Sequence, residues 1–125
     1  MSGEPILVVD DNPANALLLS YLLTKRGYVV RTAGTGREAL GLLDEFRPRV
    51  IMMDIQLPGM DGLELTRQLK SQPTTKHIVI IVLTAYAMKG DEERAREAGC
   101  DDYISKPIDT RTLPGIVERH LMMRS

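Results

Sequence analysis

With 125 residues, 43% hydrophobic and 26% charged, and a formal net charge of −1, the chain has the makings of one domain, 1–125, with little room for a second. The balanced charge gives no concentrated basic face for nucleic acid, and no apolar run approaches the roughly 18 residues that span a bilayer, so neither is an expected partner. The lone Cys100 excludes an internal disulfide, and the start from Met1 to Pro5 lacks the basic-then-apolar character of a secretion signal, so a cytoplasmic setting is expected.

In chain order, five short apolar runs alternate with amphipathic stretches. Ile6–Val9 predicts a strand ending at Asp10. Asn12 and Pro13 then supply a cap and a first-turn proline for a helix that Gly27 closes, with Leu18, Leu22, Leu19 and Leu23 inward. Tyr28–Ala33 is a second, more polar strand, fit for a sheet edge. Thr35 and Glu38 have capping-box spacing and open a helix whose stripe is Ala39, Leu42, Leu43 and Phe46. Val50–Met53 is the third strand and ends at Asp54. A helix from about Gly62 to Ser71 turns Leu65 and Leu69 inward. Ile78–Leu83, the longest and most apolar strand, ends at Thr84. The fourth helix, about Lys89 to Ala98, offers only alanines to a core. Tyr103–Ser105 leads to Lys106, and a last helix from near Asp109 buries Leu113, Ile116, Val117 and Leu121, with Pro114 predicting a late or irregular start.

Continuous apolar runs suit strands that helices cover on both faces. Five alternations with short, right-handed crossovers predict an α/β, doubly wound (βα)5 domain with a five-stranded parallel sheet in the order 2-1-3-4-5. In such a sheet, ligands bind beyond the carboxyl ends of the strands. There the chain places Asp10 and Asp11, Asp54, Thr84 and Lys106.

Three carboxylates at one rim repel one another, and one lysine cannot neutralise them all. A hard divalent cation can, and oxygen ligands favour magnesium, with manganese as the alternative. Neither His77 nor His120 stands in a ligand-spaced cluster. A carboxylate beside such a cation can act as a nucleophile towards a phosphoryl group, with Lys106 and Thr84 meeting the phosphoryl oxygens. A blander reading makes Asp10 and Asp11 acidic partners of the first helix alone. That leaves Asp54 and Lys106 without a reason.

Val9-Asp10-Asp11, Met53-Asp54 with Pro58 and Asp61-Gly62, Thr84-Ala85 and Ser105-Lys106-Pro107 together resemble the CheY-like receiver domains of two-component response regulators over essentially the whole length. The segments Ala87–Arg94 and Ile104–Ile108 are similar to single-domain regulators of the DivK type, and receivers cut from hybrid kinases carry similar stretches. The resemblance implies that Asp54 accepts a phosphoryl group from a histidine kinase or histidine phosphotransfer protein. It implies that Asp11, Asp54 and the Gln56 backbone carbonyl bind magnesium, with Asp10 joining directly or through water. It further implies Thr84 and Lys106 on the phosphoryl oxygens, a cis Lys106–Pro107 bond, and Tyr103 as an aromatic switch. Gln56 and Tyr86 would influence water access, and Pro58 with the turn from Gly59 to Gly62 would shape the loop after Asp54. The output would be a downstream protein contact through the fourth helix, fifth strand and fifth helix, from a monomer or weak dimer without substrate turnover of its own.

Two rivals share parts of this chemistry. A phosphohydrolase of the haloacid-dehalogenase type wants an Asp two residues after its nucleophile, but Asp54 is followed by Ile55 and Gln56, and Asp10 by Asp11 and Asn12. A flavodoxin-like flavin binder wants a Ser/Thr/Gly-rich phosphate loop where Asp11 and Asn12 stand. No nucleotide-binding Gly-x-x-x-x-Gly-Lys-Ser/Thr loop is present.

Overall fold

A computed structural model describes residues 3–57, 59–84 and 90–124. Pro58 and the segment from Ala85 to Lys89, including Tyr86 and the predicted first residue of the fourth helix, lie outside the described residues. The elements are β1 (Pro5–Val9), α1 (Pro13–Thr24), β2 (Val29–Ala33), α2 (Gly36–Phe46), β3 (Val50–Asp54), α3 (Gly62–Lys70), β4 (Val79–Thr84), α4 (Asp91–Glu97), β5 (Asp102–Ser105) and α5 (Leu113–Arg124). The five strands are parallel in the order β2-β1-β3-β4-β5, with Ile6 opposite Val50 and Met53 opposite Val82.

The period-two alternation of strand side chains splits the core into two layers. Leu7, Val9, Ile51, Met53, Ile80 and Val82 pack with α2, α3 and α4. Ile6, Val8, Val50, Met52, Ile81 and Leu83 pack with Leu19 and Leu23 of α1 and Leu113, Val117 and Leu121 of α5. Each fully buried Leu, Ile, Val or Met contributes roughly 1.5–3 kcal/mol, so the three central strands anchor the domain. Leu18 and Leu22 are only half-buried, so the inward face of α1 is centred on Leu19 and Leu23.

Local signals explain most element ends. Asn12 caps α1 by accepting from Ala14 N–H at 2.9 Å, and Thr35 caps α2 by accepting from Glu38 N–H at 3.1 Å. The last helix departs from the expected start near Asp109 and begins at Leu113. Pro114 has no N–H to give, which a helix tolerates only within its first turn. The preceding turn is closed by the Asp109 carbonyl, which accepts from Leu113 N–H at 3.1 Å, while the Asp109 side chain accepts from Arg111 N–H at 2.9 Å.

The α4 helix is lightly held, as its sequence predicts. Only Ala95 of its seven residues is buried, with Ala98 just beyond. Its C-terminal connection is pinned more firmly. Lys70 Nζ reaches Asp101 Oδ2 at 2.8 Å and the Ile78 carbonyl at 2.7 Å, while Ile80 N–H donates to the same carboxylate oxygen at 2.8 Å. The base of α4 is thus tied to α3 and β4, and few contacts restrain the helix itself.

A second tie joins α5 to β5: His120 Nε2 lies 2.8 Å from Asp102 Oδ2, with Arg119 at 3.5 Å. Burial alone would push the Asp102 carboxyl up. Hydrogen bonds from His120 and from Tyr103 N–H, with the positive charges of His120 and Arg119, outweigh it and hold the carboxyl below its ordinary value of 3.8. A depressed carboxyl contributes stability above that value and loses it as pH falls through the folded value. Asp102→Asn should therefore cost about 1 kcal/mol at pH 7 in urea melts, with the difference from wild type shrinking below about pH 4. A difference independent of pH would remove the ion pair from the explanation.

Candidate functional site

The carboxyl ends of β1, β3, β4 and β5 share one edge of the sheet, and the strand order sets β1, β3 and β4 side by side. Backbone pairing fixes these ends. Asp10 N–H donates to the Ala33 carbonyl at 3.0 Å, Ile55 N–H to the Leu83 carbonyl at 3.0 Å, and Lys106 N–H to the Thr84 carbonyl at 2.7 Å. Asp10, Asp54 and Thr84 are all buried, at 3%, 5% and 4% exposure. Two carboxylates so enclosed need partners.

Lys106 supplies one. Its Nζ lies 3.2 Å from Asp10 Oδ2 and 3.4 Å from Asp54 Oδ2, and the Lys106–Pro107 peptide bond beside it is cis. The remaining oxygens meet backbone: Asn12 N–H donates to Asp10 Oδ1 at 2.9 Å, and Gln56 N–H to Asp54 Oδ1 at 3.2 Å. Burial pushes the Asp54 carboxyl above the ordinary carboxylate range. The Lys106 ammonium pulls it back, the Asp10 charge pushes it up again, and the Gln56 hydrogen bond favours the ionised form.

Asp11 is exposed at the mouth, and one oxygen from each of Asp10, Asp11 and Asp54 falls within 4.8 Å of the others. This all-oxygen, all-acidic donor set, with one ammonium against three carboxylates among the described residues, fits a hard divalent cation and no soft one. The sequence reading thus placed Asp10, Asp11, Asp54, Thr84 and Lys106 at one rim, and the structure brings them together there.

Tyr103, second in β5, is half-buried against the layer that carries α4. Burial pushes its phenol up, the Asp91 carboxylate adds to that, and the nearby Thr84 side chain opposes it. The far wall of the site, expected as a loop shaped by Pro58 and the turn from Gly59 to Gly62, includes a two-residue antiparallel ladder of Gln56–Leu57 with Met60–Asp61 that the sequence did not reveal.

The family model for the response regulator receiver domain matches residues 6–118. The chain belongs to that family. As a receiver it is 47% identical over 115 residues to the polar-differentiation response regulator DivK of Brucella anthropi, covering 92% of this chain and 91% of that protein. Among solved structures, it resembles the receiver domain of a signal transduction histidine kinase from Syntrophus aciditrophicus (TM-score 0.90, 38% identity, covering 97% of this chain and 92% of that one). It also resembles the receiver domain of the sensor histidine kinase PA1611 from Pseudomonas aeruginosa PAO1 (TM-score 0.84, 36% identity, covering 94% and 97%), in which a magnesium ion is coordinated in the active-site cleft. The receiver is of the two-component response-regulator type and DivK-like, and the phosphohydrolase alternative finds no support. No helix among the described residues is long and apolar enough to cross a membrane.

Proposed function

We propose that this receiver accepts a phosphoryl group on Asp54 from a phosphohistidine of a histidine kinase or histidine phosphotransfer protein. The observation that carries the reading is Lys106 Nζ, shared at 3.2 and 3.4 Å between two buried carboxylates, with a third carboxylate in reach. Asp10, Asp11, Asp54 and the Gln56 backbone carbonyl would hold magnesium, with manganese fitting the same oxygens. When bound, the cation supplies positive charge against the carboxylates and the phosphoryl oxygens.

One Asp54 carboxylate oxygen attacks phosphorus and forms a P–O bond as the P–N bond to the donor imidazole breaks. The imidazole nitrogen keeps the electron pair and takes a proton from solvent. Lys106, already between Asp10 and Asp54, moves its ammonium onto the new phosphoryl oxygens, where positioning and charge do most of the catalysis. The Thr84 hydroxyl turns to donate to the phosphoryl group, which lets the Tyr103 ring on β5 turn inward, so the surface made by β5, α5 and the weakly packed α4 changes population and with it the affinity for a downstream protein. The chain thus acts as a switch without a turned-over substrate, as one domain over 1–125, in the cytoplasm, as a monomer or weak dimer.

Incubation with acetyl phosphate and magnesium, followed by borohydride reduction and peptide mapping, tests the acceptor. Homoserine at position 54 is expected. A modification mapped elsewhere, or none, would refute the reading. In the same preparation, Asp11→Ala should weaken magnesium binding about tenfold by calorimetry, since one of three carboxylates is gone. Unchanged affinity would remove Asp11 from the site.

A further inference from the structure

The peptide that follows Asp54 is braced from its far side by the first turn of α3. Gly62 N–H donates to the Ile55 carbonyl at 2.7 Å, next to the ladder that pairs Gln56 with Asp61 and Leu57 with Met60. Asp61 closes the turn as the cap of α3, its Oδ1 accepting from Leu63 N–H at 2.8 Å. Gly62 is already helical, so left-handed freedom is not what the position demands. It demands space. A Cβ there would lie 2.9 Å from both the Asp54 carbonyl carbon and the Ile55 Cα, and closer still to the Asp54 carbonyl oxygen. These are backbone atoms, so the contact can be relieved only by moving the Asp54–Ile55 peptide or α3 itself.

We propose that Gly62, seated by the Asp61 cap, is a positioning residue for phosphoryl acceptance. It sets the Asp54–Gln56 backbone and thereby aims both the Asp54 carboxylate and the Gln56 carbonyl. The link to the carboxylate is the Gln56 N–H bond to Asp54 Oδ1 at 3.2 Å, which turns with that backbone. The inference rests on the phosphoacceptor reading above. Its force comes from the tolerance of the chemistry: a misplacement of about 1 Å can cost about a hundredfold in rate.

Magnesium binding by calorimetry and single-turnover phosphorylation by acetyl phosphate test it on wild type, Gly62→Ala, Asp61→Ala and Asp61→Asn, each confirmed folded by circular dichroism. Folded Gly62→Ala should bind magnesium about tenfold more weakly or worse, and remain slow at saturating magnesium. Its Asp54 and Gln56 amide resonances should also move. Asp61→Ala should shift affinity in the same direction by less, and Asp61→Asn should restore it, because an amide oxygen can still cap α3. A purely structural role would lower thermal stability while leaving magnesium affinity untouched. That result in folded Gly62→Ala overturns the inference. Should Gly62→Ala not fold, the Asp61 pair decides, and equal affinities in Asp61→Ala and Asp61→Asn overturn it. Wild type that binds no magnesium and takes no phosphoryl group fails the functional reading, and the inference falls with it. Normal wild type beside an unaffected variant fails the inference alone.

Discussion

Asp54→Asn is expected to take up no phosphoryl group from acetyl phosphate and, in EDTA at neutral pH, to melt at a higher temperature than wild type. The two outcomes have one cause. Asp54 is 5% exposed and shares a single ammonium with Asp10, so its charge is poorly compensated without a cation. Burial, with the Asp10 charge adding, pushes the carboxyl above its ordinary value of 3.8 despite Lys106. A raised carboxyl favours the protonated native state, so the stability associated with this group is fullest below 3.8 and falls as pH rises through the folded value. Near neutrality the ionised side chain therefore costs stability, which an amide of the same shape does not. Relief of even about 1 kcal/mol would raise the melting temperature by roughly 4 °C in a domain of this size. Magnesium should raise the wild-type melting temperature and move the variant less, since only the native state offers the full site. Calorimetric melts at pH 7.5 and 4.5 check the sign, because the advantage of the variant should narrow at the lower pH. Uptake of one phosphoryl group by the variant would remove Asp54 as acceptor. An equal or lower melting temperature in EDTA would sink the electrostatic account of the rim.

The central strands were readable because burial on both faces demands it: Val50–Met53 and Val79–Leu83 have no polar residue to misplace, and each is wholly buried. The rim was readable for a related reason. A parallel sheet sends all its carboxyl ends to one edge, so polar residues that end apolar runs must meet there, even when 96 residues apart like Lys106 and Asp10. What the sequence hid was interaction without periodicity. The ladder after Asp54 is made by backbone groups and leaves no side-chain pattern. Lys70 with Asp101 and His120 with Asp102 pair across 31 and 18 residues. Each looks like ordinary surface charge until the fold brings the elements together. Arg47 ends α2 in the left-handed region at φ 50, where glycine would be the usual signal. The Pro114 signal was partly read. It shortened α5 to begin at Leu113, and the helix then continues through Met122 and Met123, which stand exposed on it.

Lys106→Met should destabilise the metal-free protein by about 2–3 kcal/mol at pH 7.5, the largest loss expected from any rim substitution. The Lys106 side chain is 14% exposed, and the side chains of its two carboxylate partners are 0% and 7% exposed, so removing it strands two acids that water barely reaches. Breaking a fully buried pair costs about 3–5 kcal/mol, and the partial exposure of Lys106 sets the expectation below that range. The sign of the pH dependence follows. Without the cation, Asp10 and Asp54 are left to repel, the native state gains affinity for a proton, and the deficit should shrink as pH falls from 7.5 towards 5. Magnesium should shrink it too, up to a limit set by the ratio of the dissociation constants of wild type and variant, because the variant rim, with more uncompensated charge, should bind the cation more tightly. Both trends are measurable in urea melts of wild type and variant. Phosphoryl uptake should persist in the variant, because Asp54 and the acidic cluster remain, but the amide shifts that phosphorylation produces in β5 and α4 should be lost with the ammonium that couples Asp54 to β5. A variant within about 0.5 kcal/mol of wild type in EDTA at pH 7.5 would mean that solvent already neutralises the rim. The three carboxylates would then need no cation, and the physical case for a metal-assisted phosphoacceptor would be gone.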